Sequence, residues 1–116
     1  MAGSQPVVVG AGSVLLIPEL LAKPLREGRD DEIDALAFFL ARIELLPLDR
    51  ATADLATVIA STYRLKPIDA AHLATAVNVG ADRFITNNRR DFARVTVREI
   101  DVTFPDDLPA PSSRRR

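Results

Sequence analysis

Three short stretches of this chain combine residue types that could do chemistry: Glu19 in IPELL, Asp69 with His72 in PIDAAH, and the polar run Thr86-Asn87-Asn88-Arg89-Arg90-Asp91. Pro67 suits a first helical position, because its missing N–H would be unpaired there in any case. That sets Asp69 in a first turn, where the helix dipole and free amides favour a negative charge. His72 follows one turn later and is either a proton shuttle or a packed imidazole. Glu19 directly follows Pro18, again in a first turn; position alone makes it a dipole partner worth ~0.3–1 kcal/mol. Arg89 and Arg90 carry planar forks suited to phosphate, or are solvated loop arginines. Thr86 and Asn87 are residue types common at loop entries.

The elements that must position these groups follow from pattern and punctuation. Ala70, Ala71 and Ala74 keep the Asp69 helix narrow, and Gly80 is a natural stop. Phe84-Ile85-Thr86 reads as a short apolar strand, with Asn87-Asn88 turning into a loop. Side chains at a helix start and at the carboxyl end of a parallel strand can converge on one crevice, where open α/β sheets bind ligands. Upstream, residues 14–25 form an apolar helix with Pro18 near its start and Pro24 near its end. A turn at 28–31 leads to a helix over 31–40 with Ile33, Leu36, Ala37 and Leu40 on one side and the acids Asp31, Glu32 and Asp34 in its first turn. Residues 43–48 are a β-prone run. Asp49 can cap a helix over 50–63 whose apolar stripe is Ala51, Leu55, Val58, Ile59 and Thr62, with Asp54 facing out. The alternation VTVREIDV predicts a final strand over 95–102, with Val95, Val97 and Ile100 inward. Val7-Val8-Val9, between Pro6 and Gly10, is a further β-prone run. This order fits a parallel α/β sandwich.

At 116 residues with 47% hydrophobic residues, the chain is long enough for one hydrophobic core and is not a disordered chain. The domain is expected over 1–108, and the Pro/Ser-rich tail 109–116, ending in three arginines, is expected to be disordered. No apolar run is long enough to span a membrane and the start has no secretory pattern, so a cytoplasmic protein without a membrane partner is the expectation. The absence of cysteine excludes disulfides and thiolate metal sites. A formal charge of -1 argues against a broad positive coat for nucleic acid, yet does not exclude RNA. Thirteen of the fifteen basic residues are Arg, the better phosphate ligand, or the mark of a GC-rich coding sequence.

The run DAAHLATAVNVGADRFITNNRRDF resembles the C-terminal half of a PIN domain, the nuclease fold of VapC-type toxins. PELLAKPLREG is similar to the family's helix that carries an essential Glu, and the two matches occur in the right order over residues 14–100. The resemblance implies a three-layer α/β/α sandwich with a short parallel sheet and a divalent-metal-dependent endoribonuclease of a toxin–antitoxin pair. It implies a carboxylate cluster binding Mg²⁺ or Mn²⁺, hard ions that suit oxygen ligands and acidify a bound water. Carried over residue by residue, the family's Glu falls on Glu19 and its central Asp on Asp69. The acid expected after Thr86-Asn87 is Asn88 here, and Asp91 is the acid nearest to it. Glu19, Asp69 and Asn88 are thus the catalytic candidates, and Glu19, Asp69 and Asp91 the metal ligands. Thr86, Asn87, Arg89 and Arg90 are the RNA-binding candidates. The implied partners are an RNA substrate, a cognate antitoxin and a second copy in a homodimer.

The family's opening strand ends in an Asp that has no counterpart, since no charged residue precedes Glu19 and Gly10 stands where that acid would be. The expectation is an N-terminally incomplete PIN-like domain, either a shortened remnant or a chain whose true start lies upstream. A catalytically silent remnant that binds an antitoxin, an intact toxin or RNA is the alternative function. An unrelated small α/β binding domain is the third.

Overall fold

The computed structural model describes residues 10–107. The β-prone run at 7–9 and the arginine tail at 109–116 therefore lie outside the described residues. Strand β1 (Gly10–Ser13) pairs in parallel with β2 (Ile43–Leu46), Gly10 standing opposite Ile43 and Ser13 opposite Leu46. The crossover between them is a pair of helices, α1 (Leu16–Glu27) and α2 (Asp30–Leu40). Pro18 lies in the first turn of α1, where its missing N–H is harmless, and Pro24 is a buried residue near the other end. Gly28, at φ 66°, ends α1 in the left-handed conformation that glycine adopts without cost. Arg29 N then donates to the Pro24 carbonyl at 3.0 Å, closing the orphan end of the helix. On α2 the inward residues are Ile33, Leu36 and buried Leu40; Ala37 is exposed, and so are Phe38 and Phe39.

Asp49 caps helix α3 (Arg50–Tyr63), accepting the Thr52 N–H at 2.8 Å, and this bond holds its carboxyl below the usual range. The buried face of α3 is Thr52, Ala56 and Ile59, one step round from the predicted stripe: Ala51, Val58 and Thr62 are exposed. The small side chains decide this. Helix α4 (Pro67–Asn78) is buried at Ala70, Ala71, Leu73, Ala74 and Thr75, and such a narrow helix packs best against the equally narrow Thr52–Ala56 face. Asn78 Nδ2 donates to Thr52 Oγ1 at 2.9 Å, tying the end of α4 to the start of α3.

After Gly80, at φ 70°, strand β3 (Arg83–Ile85) pairs in parallel with β4 (Asp101–Thr103), and α5 (Arg89–Phe92) lies between them in the chain. A final strand over 95–102 is not formed; only its end is strand. Since β3 has three residues, it can pair only a short partner. The Arg98 N–H is satisfied instead by the Tyr63 hydroxyl at 3.1 Å, and that hydroxyl donates to Glu99 Oε1 at 2.7 Å. Val95 and Val97 are half-buried and Ile100 is buried, although strict alternation would put Ile100 on the face opposite the two valines. A single 3₁₀ turn (Pro105–Asp107) ends the described chain.

The parallel α/β class holds, but the sheet is divided. Among the described residues there are two separate parallel pairs, β1–β2 and β3–β4. Helix α4 packs on β1 and reaches β3, so it spans both pairs. The core gathers around it: Ile59, Leu65, Leu73, Phe92 and Ile100 with the α4 alanines. No described helix is long and apolar enough to cross a membrane.

Candidate active site

Asp69 occupies the first turn of α4, which Pro67 starts. Its carboxylate faces the loop that leaves β3. There Asn88 performs two tasks at once. Its Oδ1 accepts the Asp91 N–H at 3.1 Å and so caps α5. With the oxygen committed to the cap, the amide nitrogen points the other way: Nδ2 donates to Asp69 Oδ2 at 2.9 Å and to Asp91 Oδ2 at 3.0 Å. The Asn88 N–H donates to Thr86 Oγ1 at 3.1 Å, which fixes the turn out of the strand.

Glu19 reaches the same neighbourhood from the first turn of α1, fifty-three residues before its partner, where Glu19 Oε1 meets His72 Nε2. The imidazole is mostly buried, with 10% of its side chain exposed, while Glu19 is 40% exposed. Burial pushes the Asp69 carboxyl up; the Asn88 amide opposes the rise, and the negative charges of Glu19 and Asp91 add to it. Asp91 goes the other way. The Asn88 amide lowers it first, burial offsets part of the effect, and the positive charges of Lys66, Arg90 and Arg94 lower it further. Arg94 Nη2 stands 3.5 Å from Asp91 Oδ1.

The structure thus brings Glu19, Asp69, Asn88 and Asp91 to one side of α4. Thr86 is bonded to the turn, and Asn87 is exposed with its carbonyl accepting the Arg89 N–H at 2.8 Å. Arg89 is directed to the end of the described chain: its guanidinium lies 4.4 Å over the Phe104 ring and 3.7 Å from Asp106 Oδ2. Arg90 is exposed beside Asp91. Two participants escape a sequence reading: Arg94 has a faint signal, its spacing of three from Asp91, and Lys66 has none.

As a place for a divalent cation, the donor set is chemically suited. Asp69 and Asp91 offer hard carboxylate oxygens, and Mg²⁺ commonly uses only one or two carboxylates with waters and substrate oxygens. Two carboxylates at ~4 Å repel by roughly 4 kcal/mol at an effective dielectric of 20; at Asp69 burial is the main cause of the rise, and the charges of Glu19 and Asp91 add to it. Among the described residues no three His, Cys, Asp or Glu side chains close into an ion cage. The cluster is open, and the Asn88 amide lies between the two aspartates.

A search of curated proteins finds no match. Among solved structures, a toxin–antitoxin complex from Klebsiella pneumoniae is similar, at 22% identity and a TM-score of 0.58, covering 77% of this chain and 72% of that one. At that identity the likeness speaks for the fold alone. The PIN domain profile matches residues 9–97, taking in Glu19, Asp69, Asn88 and Asp91 together. The chain belongs to the PIN domain family.

Proposed function

We propose that this chain is the toxin half of a toxin–antitoxin pair and cleaves RNA as a Mg²⁺- or Mn²⁺-dependent endoribonuclease. The observation that carries the reading is that Asp69 on α4 and Asp91 on α5 share the Asn88 amide, while Glu19 on α1 meets His72 one turn from Asp69. Asp69 and Asp91 would hold the cation, with Glu19 the third acid. When bound, the ion would neutralise charge on the scissile phosphate and acidify a water for attack. The chain's own residues prepare the place. Asn88 sets the spacing of the aspartates, and His72 Nε2 orients the Glu19 carboxylate. Arg94 steadies Asp91, and Arg90 lies beside it on the surface, where a phosphate could pair with it. Exposed apolar residues on the α1–α2 hairpin, among them Leu25 at 62%, Phe38 at 68% and Phe39 at 44%, support a protein partner such as an antitoxin or a second copy.

A silent binding module is the second reading, favoured by the neutral amide at Asn88 in the midst of the acids. One pair of measurements decides. Mn²⁺ titration calorimetry should show weak binding that Glu19→Gln and Asp69→Asn abolish, and an RNA digest with Mg²⁺ should show cleavage that both variants lose. Metal affinity unchanged in both variants would place the ion elsewhere. Metal binding without RNA cleavage would leave the binding module.

A further inference from the structure

We propose that Asn88 is a positioning residue whose side-chain amide holds Asp69 and Asp91 together in the role of a cation, so that the acid pair is assembled in the metal-free protein. The inference deepens the nuclease reading of the same site. One NH₂ group has two hydrogens, and each serves a different carboxylate, at 2.9 and 3.0 Å. The arrangement is not free to reverse. Asn88 Oδ1 is occupied by the Asp91 N–H at 3.1 Å, so the nitrogen must face the acids as long as α5 is capped. A cation that took both aspartates would have to displace this amide or turn it, and turning it breaks the cap. Loading is therefore linked to the start of α5.

The two tasks of Asn88 can be separated by substitution, because Asp caps a helix as well as Asn does but cannot donate to a carboxylate. Asn88→Asp keeps the cap and replaces the bridge by a third negative charge. If the Asn88 side chain capped α5 without facing the two aspartates, the added charge would meet no like charge and this variant would melt like the wild type. Thermal melts of the full chain in EDTA and in millimolar Mg²⁺ test the difference. The expected result is a melting temperature lower by roughly 4 °C or more in EDTA, with Mg²⁺ restoring the variant far more than it shifts the wild type. Equal melts in EDTA, or a loss that Mg²⁺ does not restore, would overturn the proposal. Should the variant fail to fold under both conditions, the wild type itself answers through NMR. The Asn88 side-chain NH₂ signals should exchange slowly with solvent in EDTA and shift on adding Mg²⁺; fast-exchanging, metal-insensitive signals would also overturn it. None of these readouts involves RNA, so failure of the RNA digest would remove the nuclease reading and leave this one standing.

Discussion

At the scale of single residues the site is a contest over charge, and Asp69 shows it most clearly. Burial and the charges of Glu19 and Asp91 raise its carboxyl above the ordinary value, although the Asn88 amide works against them. A raised value means the folded state holds the proton more tightly than the unfolded chain. Asp69 therefore contributes stability below its unfolded value, near ~4, and that contribution is lost as pH rises through the raised folded value. Asp91 has the opposite sign: its lowered value gives stability above ~4 that is lost as the solution is acidified through the folded value. Asp69→Asn should thus raise the metal-free melting temperature at pH 7, with the gain shrinking as the pH is brought down towards 4. Melts across that range in EDTA check it. A difference between variant and wild type that does not change with pH would mean that burial and the neighbouring charges do not raise the Asp69 carboxyl. The same substitution abolishes metal binding under the proposed function, so its stabilising effect and its loss of function come from one cause.

At the scale of elements α4 does two jobs with opposite requirements. Its first turn presents a charge to a half-open crevice, and the rest of the helix is the centre of the core. Leu73 is 0% exposed and Ala70 and Ala74 match it. Leu73→Ala would leave a cavity between α3, α4 and the strands that such closely packed alanines cannot collapse into, and should cost ~2–5 kcal/mol in urea unfolding. A loss below ~1 kcal/mol would show that the core is softer than its burial suggests. Much of this helix was legible beforehand. Pro67 at the first position, Asp69 in the first turn and Gly80 beyond the end all stand where punctuation placed them. Helix α3 was legible in its bounds and its Asp49 cap but not in its face, because a period of 3.6 allows two neighbouring stripes and only the partner's shape selects one.

At the scale of the whole molecule the divided sheet has a consequence for association. Among the described residues each parallel pair has an outer edge on both sides, whose N–H and C=O groups are a template for another chain. Exposed apolar residues on the α1–α2 hairpin, together with Val58 at 60% and Ile85 at 49%, add surface that water solvates poorly. The isolated chain is therefore expected to dimerise, to aggregate or to depend on a partner. Light scattering at micromolar concentration checks this, and a stable monomer there would count against it.

What the sequence determined by itself was local. Prolines, glycines and capping acids act over a few residues, so helix starts and stops were readable, as were the half-buried Val95 and Val97 and the buried Ile100. The family resemblance named Glu19 and Asp69 together, which no spacing rule could have produced across that distance; in the structure Glu19 meets His72, one turn from Asp69. Tertiary structure decided the rest. The final strand was cut to Asp101–Thr103 because β3 is short and Tyr63, far away in sequence, took up the Arg98 amide. Arg89, placed by its neighbours beside the acids, was drawn to Phe104 and Asp106. The double task of Asn88 was likewise invisible in the chain. An amide has two ends, and which end meets an acid depends on what occupies the other; here that is the Asp91 N–H, so the orientation that organises the site comes from a cap three residues away acting together with a helix start nineteen residues back.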